Sequence, residues 1–404
     1  MTTIHDHQSD AEIRSGALAK PTNHDEDYRF SDPAFFDLDL PIITKSSPAG
    51  ELGHLAQATV DHAAGNAVVV QLVDTSVHLP ADLPDGVTIA PLKEAPKELV
   101  TQYLGSVISD QHDYFIANTL ARFNTGVLVH LAKNTEVSEP IVIDITTTEP
   151  GLAVQWVLVV SETGANGTVV VDQHGGANET TVLNAVETVL QDASQLTLVT
   201  AQDWAGEAIS HMATHKAQVG RDASFTHLEV SLKGAHVYVR PDVELAGRGA
   251  HAQLLGVYLP TGTDHIEHRS LIHHVGSDSV SEYNHKGVIC DAGRATWVGT
   301  IKIDPDAKNT SSDESNANLI LSDGRADSLP FLEIGTADVT ACGHHSSIGQ
   351  IDEVQLFYLQ SRGIDRIEAR RMLVLAFLAE VIDDIDIAGL SDILMDDIST
   401  VIAK

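Results

Sequence analysis

The residues best suited to chemistry lie between Asp338 and Gly363, in DVTACGHHSSIGQIDEVQLFYLQSRG, where Cys342, His344 and His345 stand almost side by side. A thiolate and an imidazole are soft and borderline metal ligands. Cys342 and His344 are two residues apart, so on a strand they face the same way and both can reach one ion. His345 then points to the other face and reads as structural. The imidazole ligates only as the neutral base, and the thiol needs a positive charge or a metal beside it to ionise. By itself a C-x-H pair is a weak motif, and a small buried cysteine is common.

The remaining candidates are weaker. His265, His268, His273, His274 and His285 crowd one region, but their spacings match no standard zinc pattern and a strand array sends such side chains in different directions. Cys290 sits inside the apolar run GVIC and reads as packed. Asp222, Glu229 and Asp242 are the mid-chain carboxylates that a β-helical polysaccharide-active enzyme would have to gather into one groove. No G-x-x-x-x-G-K-[ST], G-x-S-x-G or G-x-G-x-x-G run follows a strand, so the chain reads as non-enzymatic, with no ATP site.

Composition narrows the partners. The 404 residues hold 57 acidic and 24 basic side chains, a net charge of −33. That field repels nucleic acid and anionic membranes and favours a partner with a basic face. The first residues, MTTIHDHQSDAEIRSG, lack the basic and apolar regions of a secretory signal. The longest apolar run, Leu152 to Val160, is too short to span a bilayer. With only Cys290 and Cys342, a disulfide framework is excluded and a reducing cytoplasm is expected.

Three regions must position these groups. Residues 1–125 form a mostly helical α/β lead domain with a polar tail over about the first 48 residues. Its helices run from Leu52 to Ala64, Pro96 to Ser106 and His112 to Phe123, with a strand over Ala67 to Val73. From Gly126 the apolar period changes to two, and strand follows strand through residues 126–345. Asp192-Ala193-Ser194, Asp222-Ala223-Ser224, Arg248-Gly249-Ala250 and Ser277-Asp278-Ser279 recur every ~27–30 residues, each before an alternating strand. Small residues at fixed intervals suit the tight corners of stacked coils, so a β-helix is expected, with a sandwich as the alternative. Residues 346–404 are helical. Asp352 caps a helix whose Val354, Phe357 and Tyr358 line a buried face. Asp365 and Glu368 open the next, with Met372 or Leu373, Ala376 or Phe377, and Ala379 along one side. A last amphipathic stretch carries Ile393, Leu394, Ile398 and Val401.

Four ordered blocks resemble the SufB/SufD family, scaffold subunits of the Suf iron–sulfur cluster assembly machine. They are Ala117-Asn118-Thr119 with Gly126 and Glu139-Pro140-Ile141; His265-Ile266-Glu267-His268 to Gly299-Thr300-Ile301, including Lys286-Gly287-Val288; Asp306 to Glu333-Ile334, including Ser315-Asn316-Ala317-Asn318; and the Asp338–Gly363 stretch. The sequence departs from the family pattern at Ser277, His285, Lys308-Asn309, Gly343 and His345. It is more similar to SufD than to SufB, because it reads H-H-S-S-I-G-Q after the cysteine and carries no thiol before Cys290.

The resemblance implies a right-handed parallel β-helix flanked by helical domains, and a non-catalytic scaffold. It implies a heterodimer with SufB through the β-helix, and a SufC ATPase bound through the C-terminal helices. It further implies that His344, together with a cysteine of SufB, serves an interfacial site for a nascent iron–sulfur cluster; Cys342 stands beside it as a second candidate on its spacing alone. Such a cluster commonly takes about four thiolates, so this chain could hold one only transiently and shared with SufB. A flavin in the complex and a SufB-like homodimer of the chain alone stay open.

Overall fold

A computed structural model describes residues 4–108, 113–176, 179–205 and 208–382, with residues 395 and 399. The lead region holds α1 (Ile4–Ala17), α2 (His54–His62), β1 (Val68–Val73), β2 (Ser76–His78), β3 (Val87–Pro91), α3 (Lys97–Tyr103) and α4 (Tyr114–Arg122). Then come β4 (Thr125–Leu131), β5 (Ile141–Thr147), β6 (Gly151–Ser161), β7 (Asn166–Gly175), β8 (Thr180–Leu190), β9 (Gln195–Trp204), β10 (Ile209–Val219) and β11 (Ser224–Lys233). The array continues with β12 (His236–Leu245), β13 (His251–Tyr258), β14 (His265–His274), β15 (Val280–Ile289), β16 (Arg294–Ile303), β17 (Thr310–Ile320), β18 (Arg325–Ile334) and β19 (Val339–Gly349). Helices α5 (Glu353–Ser361) and α6 (Arg366–Ile382) follow.

From β4 onward successive strands alternate between two sheets, and within each sheet neighbours are parallel. One sheet runs β19-β17-β15-β13-β11-β9-β7-β5-β1-β2 and the other β18-β16-β14-β12-β10-β8-β6-β4-β3. Two strands therefore make one coil, and the coils stack into the expected parallel β-helix. The corners anticipated from the repeat are left-handed backbone positions: Asn134, Gly164, Ala193, Asp222, Gly249, Asp278 and Asn309 all have φ between 54° and 71°. Each donates its N–H to the coil above, as in Asp222 N to Arg248 O (3.0 Å) and Asp278 N to Lys308 O (2.8 Å). Asn, Asp and Gly tolerate that conformation best, so these residue types recur there.

Three apolar layers hold the array. Val129, Ile143, Val171, Leu198, Ala213, Phe225 and Leu254 fill the lumen between the sheets. On the outside, α1, α3 and α4 cover Leu128, Trp156, Leu158, Leu183 and Tyr238 of the nine-stranded sheet. Helices α2 and α6 cover Val142, Val170, Val199, Leu228, Val257 and Val288 of the ten-stranded sheet. Strands covered on both faces, such as β6 and β8, are buried throughout and so lose the period-two pattern.

Several expectations change. The polar tail is not loose over its described residues 4–48: Tyr28, Phe36 and Leu38 anchor it across the nine-stranded sheet, and the Tyr238 hydroxyl donates to Asp27 O (3.0 Å). A few aromatic anchors suffice, and a polar average conceals them. On α5, Val354, Phe357 and Tyr358 are outward, 75%, 71% and 55% exposed, and only Leu356 is buried. On α6 the buried side is Ala369, Val374, Leu378, Val381 and Ile382, not the Met372–Ala379 side. Lys286 of β15 draws α6 in, donating to Phe377 O (2.6 Å) and ion-pairing Glu380. The Ile393–Val401 stretch lies outside the described residues, except 395 and 399.

Candidate functional site

Among the described residues nothing covers the end of the array. β18 and β19 are the last strands of their sheets, and both are partly or largely exposed. Cys342 and His344 sit on β19, opposite Ser312 and Glu314 of β17. The register slips between Thr310 and Ser311, so β19 carries one extra residue, Thr340, before the pair. A bulge of this kind changes which alternate positions face inward. Here it puts Cys342 on the lumen side, against Ile301, Ile303 and Ala307. Its partner two residues on, His344, shares that side at the rim and is exposed, as the spacing requires. His345 faces outward, 3.6 Å from the Asp313 carboxylate. Burial pushes the Cys342 thiol above its ordinary range, and the Glu314 and Asp313 carboxyls add to this. The chain by itself therefore favours the protonated thiol, and an added cation would have to create the thiolate.

Glu314 is the residue this region adds. It is fully buried beneath the pair, and neither carboxylate oxygen has a partner among the described residues. Burial lifts its carboxyl to about 8. Gly299 makes this placement feasible, since a side chain there would overlap the Glu314 carboxylate. Other motif residues are lumen architecture in the same sense. Gly287 leaves room for the Tyr258 ring, whose hydroxyl donates to Asn318 Oδ1 (2.8 Å) and accepts from Asn316 Nδ2 (2.8 Å).

The five-histidine cluster is divided by strand alternation. His265 and His273 face outward, bonding Thr296 and Asp304. His274 turns inward to Ser279 and Ser281. Only His268 and His285 meet, Nδ1 to Nδ1 at 3.4 Å. Cys290 is buried in the layer under α6, its thiol pushed up to about 11. The three carboxylates also stay apart: Asp222 is an exposed corner, Glu229 lies in the lumen, and Asp242 pairs with Arg240 on the outer face.

What the spacing did not disclose is a polar node in the lumen. From the ten-stranded sheet come Thr200, Gln202, His227, Glu229 and Ser231; from the facing sheet come Asn184 and His215. Glu229 Oε2 lies 2.7 Å from His215 Nδ1 and accepts from the Thr200 hydroxyl (2.7 Å), while Oε1 accepts from Gln202 (2.7 Å). Burial would raise the Glu229 carboxyl, but the charge and hydrogen bond of His215, with His227 and His268 nearby, hold it below its usual range. The signal in the sequence was the alternation Phe225-x-His227-x-Glu229-x-Ser231, polar groups where a lumen strand should be apolar.

Comparison with known proteins agrees with this architecture. The sequence model of the SufBD core domain of SUF-system FeS cluster assembly matches residues 144–377. An iron–sulfur cluster assembly SufBD family protein of Mycobacterium tuberculosis is 38% identical over 281 residues, covering 67% of this chain and 69% of the relative. The iron–sulfur cluster assembly protein SufD of Bacillus subtilis is 27% identical over 332 residues, 79% of this chain and 76% of the relative. Escherichia coli SufD is 30% identical over 181 residues, 45% and 43% of the two chains. The β-helix, the ordered motifs and these similarities together establish that the chain belongs to the SufB/SufD family of the Suf iron–sulfur cluster assembly system, with its resemblance on the SufD side.

Proposed function

We propose that the chain is the SufD-type, non-catalytic scaffold subunit of a cytoplasmic Suf assembly complex. The observation that carries this reading is the last coil, which the described residues leave uncovered. β18 and β19 present 10- and 11-residue parallel edges, and Phe331, Ile334 and Ile348 stand exposed on them. Unpaired edges of that length are templates for another chain's strands. The proposed occupant is SufB, pairing coil to coil, with a second copy of this chain as the occupant when SufB is absent. Such pairing seals the rim over Cys342, His344 and Glu314, so a cluster built there as cargo would take ligands from both subunits. His344 is the exposed member and is proposed as the ligand this chain lends. Cys342 is a secondary ligand, since its thiol must first be ionised.

SufC, the ATPase, is proposed to dock on the outward face of α5. Val354, Phe357 and Tyr358 form an apolar surface there that the other described residues leave uncovered. Removing everything after Gly363 would be a poor test of docking, because α6 shields the ten-stranded sheet. Phe357→Asp with Val354→Ser is the cleaner probe. It is expected to abolish co-purification of SufC while leaving thermal melting within about 0.5 kcal/mol, the usual range for surface changes. Unchanged SufC recovery would reject α5 as the docking site.

The test of the whole reading is co-expression with SufB and SufC, followed by native mass and iron and sulfide analysis. A complex containing SufB, SufC and this chain with labile iron is expected. His344→Ala should keep the complex mass and lose cluster formation. Equal loss of assembly would make His344 structural, and a monomer indifferent to both partners would overturn the scaffold reading.

A further inference from the structure

We propose that the lumen node is a binding site for a borderline divalent cation such as Fe²⁺, Zn²⁺ or Co²⁺, with His215, His227 and Glu229 as its protein ligands. One donor atom from each of the three lies within 4.8 Å of the other two, and all three residues are buried. His227 Nε2 is 3.7 Å from Glu229 Oε2, and His215 Nδ1 is 2.7 Å from the same oxygen. Two imidazoles and one carboxylate form a set that suits Zn²⁺ and non-haem Fe²⁺.

The surrounding groups are arranged as they are around bound metals, where partners behind the ligands fix their orientation. Asn184 Oδ1 lies 3.3 Å from His215 Nε2. A proton on Nε2 satisfies that contact and leaves Nδ1 free to ligate. Gln202 Nε2 holds Glu229 Oε1, and Ser231 in turn donates to Gln202 Oε1 (2.7 Å), which leaves Oε2 aimed at the imidazoles. The Thr200 hydroxyl now spans the gap, 2.8 Å from His227 Nε2 and 2.7 Å from Glu229 Oε2. A cation would take that central place, and the proton shared between His215 Nδ1 and Glu229 would leave as it enters. The hydroxyl would turn aside or become a fourth ligand.

Polar groups continue from the node toward the last coil. Ser231 lies 2.8 Å from His268 Nε2, and His268 meets both His285 and the Tyr258 ring. Tyr258 then bonds Asn316 and Asn318, and Ser328 of β18 donates to Asn316 Oδ1 (2.7 Å). An ion entering from the last coil would meet oxygen and nitrogen ligands along its way, which lowers the cost of shedding water. The node is distinct from Cys342 and His344, so this inference does not depend on the scaffold reading.

Co²⁺ is the probe. The full chain, stripped with chelator and refolded with or without Co²⁺, would be dialysed and measured for bound cobalt and its ligand-field spectrum. One tightly held equivalent is expected, with nitrogen and oxygen ligation and no thiolate charge-transfer band. His215→Gln with His227→Gln should lose that equivalent. Asn184→Ala, which spares the ligands, should weaken it about 10–100-fold. Cys342→Ser with His344→Ala should leave it unchanged. Should the double glutamine variant fail to fold, X-ray absorption on the wild type decides, two imidazole nitrogens and a carboxylate oxygen being required. Sulfur ligation, cobalt retained by the folded lumen variant, cobalt lost with Cys342 and His344, or no retained equivalent would each overturn the proposal.

Discussion

Gly247→Ala is expected to destabilise the fold by about 3 kcal/mol or more, the upper range for overpacking where nothing can yield. Gly220, Gly247 and Gly276 lie above one another at one corner of successive coils. A Cβ on Gly247 would overlap the backbone of Gly220 and Arg221, and one on Gly276 would overlap the Gly247 carbonyl. The obstacle is main chain held by ladder bonds, such as Gly247 N to Val219 O (3.0 Å) and Gly276 N to Leu245 O (2.8 Å), so no rotamer change relieves it. A whole domain is commonly stable by only ~5–15 kcal/mol. The variant should therefore melt well below the wild type and be cut faster by protease. Gly50→Ala is the control, because no atom lies within 4 Å of its Cβ position. A Gly247→Ala melting curve matching that control would show that the corner stack is not rigid.

His274→Gln is expected to reverse its effect with pH. His274 is buried in the lumen, with Ser279 Oγ 2.8 Å from Nδ1 and Ser281 Oγ 2.9 Å from Nε2. Burial, with the nearby His273, lowers its pKa to about 4 from an ordinary 6.5. The folded chain therefore refuses a proton that the unfolded chain accepts. Its contribution to stability is complete above pH 6.5 and is lost as pH falls toward 4, at about 1.4 kcal/mol per pH unit. At pH 7.5 the glutamine variant should be less stable by about 1–2 kcal/mol, the worth of one or two hydrogen bonds. Near pH 5.5 the two stabilities should cross, and at pH 4.5 the variant should be the more stable. Denaturation midpoints across pH 4.5–7.5 provide the measurement. A constant difference over that range would mean that His274 takes a proton without leaving the fold.

The sequence by itself determined whatever depends on neighbours along the chain. Recurrence of Asp222, Gly249 and Asp278 before alternating strands marked the corners, because a left-handed residue restricts its own type wherever it occurs. Cys342 and His344 were bound to share a face, because the period of a strand is two. Which face they share was settled by tertiary structure, through the extra residue at Thr340 and the ladder with β17. Val354 and Phe357 have the spacing of a core stripe, yet α5 reaches the fold through Leu356. An apolar stripe in the sequence does not say which of its residues the fold buries, because that depends on what packs against the helix. His215 and Glu229 are 14 residues apart and meet across the lumen. That meeting was set by the stacking of coils and the width between two sheets, properties of contacts made through space that no local spacing carries.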